Sequence, residues 1–358
     1  MKKSLLALAA LAFVASAAQA QSNVTIYGQV DIGVVKTKDL TTRIGRGDNN
    51  KLGFRGVEDL GGGLSAVFQL EMRFEPDTGT TESFNSTTPG NSRPLFQGQS
   101  RVGLKGDFGQ VRMGRGLSAM QESAGGYEPW GFTGNRGTLL TYSLAGYNGD
   151  PLNSGSSQNR FSNGLFYNTP VFGGGFQANF SLASKEALTN GTPTVNPYSF
   201  SSTYNNGPLS MMFGYERNAI ETRFWNLAGT YTIASASNLK VIGSYAHQRP
   251  NGGATTKGWV LGLQAPVASG VILAGYGRNN SDGRSGVNAA GIISAAPVAT
   301  VGIANDRQFS IGYEHTLSKR TFLYTDYWTR RVPNTAAGLV GGGTTSTHTF
   351  DVGINHRF

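Results

Sequence analysis

Residue types that carry covalent chemistry are scarce in this sequence. Cysteine is absent, and there are four histidines: His247, His315, His348 and His356. No Gly-x-Ser-x-Gly elbow accompanies them, and alternation puts His315 and His356 on apolar faces, so no hydrolytic pair has a candidate. What recurs instead is single basic residues on the polar side of short alternating segments, among them Arg55, Arg73 and Arg112. A guanidinium beside a narrow aqueous path lowers the energy of a passing anion and raises that of a cation. The chemistry on offer is electrostatic sorting rather than bond making, and no enzyme is expected.

Charge balance narrows the partners. The chain of 358 residues has a formal net charge of +9. Its Lys and Arg are scattered singly along alternating segments, without a basic helix or cluster, so nucleic acid is not an expected partner. Without cysteine neither a disulfide framework nor a thiolate metal site is available, and Asp and Glu are too sparse to name calcium ligands. No cofactor and no metal are expected. Gly61-Gly62-Gly63 is followed by a strand rather than a helix, which excludes a phosphate cradle. Arg46-Gly47-Asp48 sits in a Gly/Asn-rich stretch and reads as a solvated turn rather than an adhesion motif.

The elements that must position these residues begin after a leader. Lys2 and Lys3, an apolar run from Leu5 to Ala18, and Ala18-Gln19-Ala20 read as a cleaved secretory signal over residues 1–20. Removing Lys2 and Lys3 with it leaves 28 basic against 21 acidic residues. No linker divides residues 21–358, so one domain is expected. Glycine is abundant, 51 of 358 residues, about twice the usual share of roughly 7 per cent, while apolar residues reach only 38%. A wall that is apolar on one side and wet on the other needs only every second strand residue to be apolar, and no run after Ala20 is long enough for a membrane-spanning helix.

Period-two alternation dominates. Phe350, Val352, Ile354, His356 and Phe358 oppose Thr349, Asp351, Gly353, Asn355 and Arg357; Ala66, Phe68, Leu70 and Met72 oppose Ser65, Gln69, Glu71 and Arg73. Sixteen such segments begin near residues 23, 50, 64, 98, 110, 159, 175, 197, 208, 223, 238, 256, 270, 306, 320 and 346. Tight turns (59–63, 106–109, 172–175, 205–208, 235–237, 318–319) alternate with long polar loops near 75–97, 117–158, 185–196, 281–305 and 332–345. The fold class this predicts is all-β: a closed antiparallel transmembrane barrel with short turns at one end and long loops at the other. An open sandwich would leave exposed edges and need a richer apolar core. No helical segment is expected. Tyr27, Trp225, Tyr231, Trp259, Tyr327 and Phe358 are candidates for interfacial aromatic girdles. The outward face of the segments at 270–280 and 320–331 is left undecided by the pattern. Outward Gly28, Gly56 and Ala66 would allow a second barrel to approach closely.

With the strands placed, four stretches resemble one family: Asn23-Val-Thr-Ile-Tyr-Gly, Lys51-Leu-Gly-Phe-Arg-Gly-Val-Glu-Asp-Leu-Gly-Gly-Gly-Leu, Ser100-Arg-Val-Gly-Leu-Lys-Gly, and Phe108-Gly-Gln-Val-Arg-Met-Gly-Arg. The chain looks like a general diffusion porin of β-proteobacteria, and His356-Arg357-Phe358 resembles the carboxyl-terminal aromatic signature of outer-membrane barrels. The resemblance runs from Asn23 to Phe358. It implies a sixteen-stranded homotrimer in the outer membrane, exported through the periplasm, with its third long loop folded into each barrel. It further implies contact with membrane lipid and lipopolysaccharide, and capture by the barrel-assembly machinery through Phe358. Small polar solutes, preferentially anions, would pass by passive diffusion; a substrate-specific channel for phosphate or an organic anion is the alternative.

The resemblance also points to a basic cluster at the narrowing, which maps by motif position onto Lys51, Arg101 and Arg160. Alternation places each opposite its apolar neighbours, and Arg55, Arg73 and Arg112 are further lumen cations. Lys51 stands where the family would have arginine. The loop from Leu117 to about Gln158 is too long for an ordinary connection. Glu122 and Glu128 would be its acidic contribution, facing the cations across the bore, with Glu128-Pro129-Trp130-Gly131-Phe132 a loose match to the family's segment.

Overall fold

The computed structural model describes residues 23–82, 94–133, 136–147, 149–150, 159–185, 194–251, 255–281, 306–333 and 344–358. The expected leader (1–20) and nearly all of the expected loop at 281–305 lie outside them.

Alternating sequences form strands where predicted, because successive side chains point to opposite faces and one face here is apolar. The first wall is β1 (Asn23–Thr37), β3 (Lys51–Gly61), β4 (Leu64–Arg73), β5 (Gln99–Gly106) and β6 (Gly109–Leu117), with a three-residue strand β2 (Arg43–Gly45) folded onto the far end of β1. There follow β7 (Arg160–Asn168), β8 (Phe176–Ala183), β9 (Tyr198–Asn206), β10 (Leu209–Arg217), β11 (Arg223–Ile233) and β12 (Leu239–Arg249). The last are β13 (Thr256–Val267), β14 (Gly270–Ser281), β15 (Asp306–Thr316), β16 (Thr321–Pro333) and β17 (Thr344–Arg357). All pair antiparallel with their neighbours, and β17 returns to β1, so that sixteen long strands close. The seam is tied by paired backbone bonds between Gly28 and Phe358, at 3.0 and 3.1 Å. β2 is the strand that alternation does not reveal, since three residues carry no period.

The faces are inverted relative to a soluble protein. On β17, Phe350, Val352 and Ile354 are 49%, 46% and 40% exposed, whereas Asp351 and Asn355 are 0% exposed. Apolar groups look outward to where lipid would lie, and polar groups line the bore. Tertiary pairing settles the two undecided strands: Leu261, Tyr276 and Phe309 share the outer face, so β14 turns Leu273 inward, and β16 turns Tyr324 and Asp326 inward. Among the described residues no helix is long and apolar enough to cross a membrane.

Three expectations are corrected. Among the described residues two short α-helices do form, α1 (Ala119–Ala124) and α2 (Leu140–Ser143), both within the long loop after β6. Their few residues are too short a window for a 3.6-residue period to register. Tyr27 is not a girdle residue: it faces the bore, where its hydroxyl donates to Glu71 (3.2 Å) and accepts from Gln69 (2.8 Å). Gly28 and Gly56 are not bare docking points for another barrel, because the Phe358 and Phe68 rings cover them; a Cβ would meet those rings at 2.7 and 2.2 Å. The outward glycines accommodate neighbouring aromatics of the same sheet.

Candidate functional site

The inner face of β3 to β6 is a basic wall. Register sets Lys51 directly opposite Arg73, and Arg55 opposite Gln69, which itself faces Arg101. Arg112 faces Gly103 one strand further on. Like charges directly opposite on one face are destabilising. Among the described residues, neither Lys51 nor Arg55 has a carboxylate within 4.0 Å. Arg55 lies over the Tyr27 ring, 5.3 Å from its centroid, and is exposed to the bore.

The long loop supplies one counter-charge to this wall. Ser118 caps α1 by accepting from Gln121 N, and the helix projects Glu122 between two guanidiniums. Arg101 Nη2 lies 3.0 Å from Glu122 Oε1, and Arg112 Nη2 lies 3.1 Å from Oε2. Burial alone would raise the Glu122 carboxyl, but Arg101 and then Arg112 outweigh it and hold the group below its ordinary value of 4.5. The expected Glu122 charge is therefore present, but it grips the cations rather than facing them across open water. Because its folded-state pKa is depressed, the attachment persists at neutral pH and is lost only as the pH falls through that lowered value. Single-channel conductance is expected to hold steady from pH 7 to about 4.5, with an acid step beneath that Glu122→Gln removes. A Glu122-dependent step centred above 4.5 would contradict this assignment.

Two other predicted residues sit elsewhere. Glu128 is 1% exposed, and its carboxylate accepts backbone N–H groups of Trp130 (3.1 Å), Phe132 (3.0 Å) and Leu139 (2.8 Å). Burial raises its pKa despite these donors. Its place is inside the loop, holding a turn. Arg160 is 1% exposed and donates to Gly98 O (2.5 Å) and Asn159 Oδ1 (2.7 Å). Alternation counted back from Leu165 fails to locate it, because a bulge at Asn163 (φ 51°) puts one extra residue in β7 and shifts the register against β6.

The loop crosses the bore and lies on the opposite wall. Its Met120, Tyr127, Leu144 and Tyr147 bury against Met212, Phe224, Ala228 and Ala246 of the strands, and Trp130, Leu139 and Tyr142 against Val260 and Leu273. Full burial of a side chain of this kind contributes roughly 1.5–3 kcal/mol. The wall is cut back to receive it: a Cβ on Gly262 would come 2.2 Å from Pro129 Cγ, and one on Gly277 2.6 Å from Tyr142 Cγ. Gly277→Val is therefore expected to unseat the loop, raising single-channel conductance while heat-resistant barrel mobility on gels persists. Wild-type conductance in that variant would contradict the fit described.

Under the loop lie the acids of the bore. Asp31, Asp306 and Asp351 are 0% exposed and Asp326 is 1% exposed. Trp130 Nε1 donates to Asp326 Oδ1 (2.7 Å), while Arg136 reaches Asp326 Oδ2 and Glu314 Oε1, both at 2.6 Å. Arg136 also stacks over the Tyr324 ring at 4.2 Å, and that tyrosine donates to Asp31 (2.8 Å). Tyr142 donates to Asp306 (2.8 Å), which also pairs with Arg330. Sequence reasoning did not single out Arg136, Trp130 or Asp326. The inward parity of Asp326 and Asp351 was the available signal, and it was hidden where the face of β16 stayed ambiguous. Nor is Arg46-Gly47-Asp48 displayed outward: Gly47 N donates to Asp31 (2.7 Å) and Arg46 pairs with Glu82 (2.7 Å).

A closed, apolar-skinned barrel with a polar bore narrowed by an inserted loop is a passive membrane channel. The Gram-negative porin family profile matches residues 7–335, and the chain belongs to that family. Outer membrane porin protein 32 of Delftia acidovorans is 33% identical over 387 residues, spanning 100% of both chains. The solved anion-selective porin from Comamonas acidovorans superposes with a TM-score of 0.74 at 28% identity, covering 94% of this chain and 100% of its own. OmpT of Vibrio cholerae in its trimer form shares the fold alone, at TM-score 0.62 and 14% identity. The chain is thus an outer-membrane porin, a multi-pass barrel forming a water-filled channel for small hydrophilic solutes, and not an enzyme.

Proposed function

We propose that this porin passes anions in preference to cations, and that Lys51 and Arg55, with Arg73 beside them, are the groups the permeating anion meets. One observation carries the reading: Lys51 and Arg55 on β3 face the bore with no carboxylate within 4.0 Å among the described residues, while Asp31, Asp306 and Asp326 are buried beneath the loop and engaged by Arg136, Arg330, Trp130 and tyrosine hydroxyls. A fixed charge acts on a passing ion through whatever water separates them, so an exposed cation outweighs a neutralised, covered acid. Arg101 keeps part of its field, since it shares the single charge of Glu122 with Arg112. Arg160 contributes to the shape of the wall near Gly98. The anion selectivity of the similar Comamonas acidovorans porin agrees with this reading.

The working unit we infer is a homotrimer, as the family resemblance implies. Planar-bilayer recordings of the refolded protein under a KCl gradient test the reading. Stepwise conductance with a chloride-favouring reversal potential is the expected result. A potassium-favouring potential would overturn the anion preference, and saturable block by phosphate alone would replace general diffusion with a specific channel.

A further inference from the structure

On the other side of α1, at the short-turn mouth, the bore carries a recess of about 600 Å³ that no carboxylate lines. That volume falls within the roughly 300–1,000 Å³ typical of small-molecule sites. Its wall is set by register: Asn205 faces Ser210, Ser210 faces Thr230, and Thr232 faces Lys240, all pointing inward from β9 to β12. Part of this lining is already fixed. The Tyr127 hydroxyl of the loop bonds Ser210 Oγ (2.8 Å) and Met211 O (2.9 Å), and Ser210 Oγ donates to Asn205 Oδ1 (2.6 Å). The rest is unspent. Among the described residues, the Asn205 amide nitrogen, the hydroxyls of Thr203, Thr230 and Thr232, and the Lys240 ammonium make no side-chain hydrogen bond, and Lys240 has no carboxylate within 4.0 Å.

We propose that this recess is a second binding subsite, for a polyhydroxylated monocarboxylate of sugar-acid type. One ammonium matches one carboxylate, and a charge-assisted bond between them is roughly twice as strong as a neutral one. The hydroxyl and amide rows match a chain of alcohols, each of which both donates and accepts. A neutral polyol leaves the ammonium unanswered. A fatty acid of the same charge finds hydroxyls where it needs apolar wall, and leaving those groups desolvated and unpaired costs affinity. A phosphate dianion finds one cation where two would serve it. Because Tyr127 is part of the loop, an occupant here sits against the element that narrows the bore, and its residence reduces the current.

The test uses single reconstituted channels in constant KCl, with gluconate, sorbitol or hexanoate added in turn. Gluconate is expected to produce saturable current interruptions that sorbitol and hexanoate do not. Lys240→Gln should weaken the gluconate effect roughly tenfold, the value of one charge-assisted contact. Thr230→Val should weaken it less, and Lys105→Gln, which removes a cation from β5 away from the recess, should leave it intact. Equal interruption by gluconate and hexanoate, or an unchanged effect in Lys240→Gln, overturns the subsite. The inference rests on the anion-preferring reading, and the two fail separately: a chloride-favouring channel without gluconate interruptions retires only the subsite, whereas a potassium-favouring one retires that reading.

Discussion

Replacing Lys51 and Arg55 together by glutamate is expected to turn the channel from chloride-favouring to potassium-favouring. Each change moves the wall by two charge units. A unit charge acting on an ion roughly 6 Å away through water-like dielectric is worth about 0.7 kcal/mol, so four units shift the energy of one ion by roughly 3 kcal/mol before screening. Salt at 0.1 M, with a Debye length of about 10 Å, reduces that without removing it. The permeability ratio should therefore move at least about tenfold, enough to change the sign of the reversal potential. The barrel should survive, because neither side chain has a carboxylate within 4.0 Å among the described residues to be left orphaned. Arg160 offers a sharp contrast. Neutralising Arg160, buried against Gly98 O and Asn159, should alter folding yield more than selectivity. An unchanged reversal potential in the folded double glutamate variant would sink the assignment of these two residues.

The second large effect is expected at Arg136, which lies 190 residues from its partner Asp326 in sequence. Its guanidinium is almost wholly buried and bonds both Asp326 and Glu314 at 2.6 Å. Burial alone would depress its pKa, yet Asp326 and Glu314 raise it well above the ordinary arginine value, so it stays charged at any working pH. Removing one partner of a buried pair costs roughly 3–5 kcal/mol, because the other is left charged and uncompensated. In Arg136→Ala the loop should therefore lift from β15 and β16, freeing the partly exposed Glu314 and letting water reach Asp326 and Asp351. Two changes should appear together: higher single-channel conductance, and a fall in anion preference as the covered acids begin to act on the bore. Arg136→Lys, which restores charge without the planar fork, should lie between. Higher conductance with unaltered selectivity would show that the acids stay neutralised without the loop, contrary to the masking argued here.

Some of this molecule was legible from local pattern. Sixteen alternating stretches became sixteen long strands within a residue or two of their expected starts, because the two-residue side-chain period is a local property that needs no knowledge of partners. The inward placement of Lys51, Arg55, Arg73, Arg101 and Arg112 follows from the same parity, and hairpin order alone makes their strands neighbours. Parity failed where one residue broke it. The bulge at Asn163 carried Arg160 away from the position counted for it, and Tyr27 was assigned outward on its residue type although its parity pointed in.

What the sequence by itself determined, then, was the class: a strand-built membrane wall, apolar outside and wet inside, with a basic arc in its bore. What only the tertiary structure decided was which charges act. Loop residues 118–150 carry no repeating period. Their course across the lumen depends on glycines of β13 and β14, on hydroxyls of β8 and β9, and on aspartates of β15 and β16, all remote in the chain. Whether an aspartate is a cation site or a covered anchor depends on what desolvates and pairs it, and those partners are set by barrel closure. The physical reason is one of range: side-chain direction is fixed residue by residue, whereas burial and pairing of a charge are fixed by surfaces that meet only after the sheet has closed.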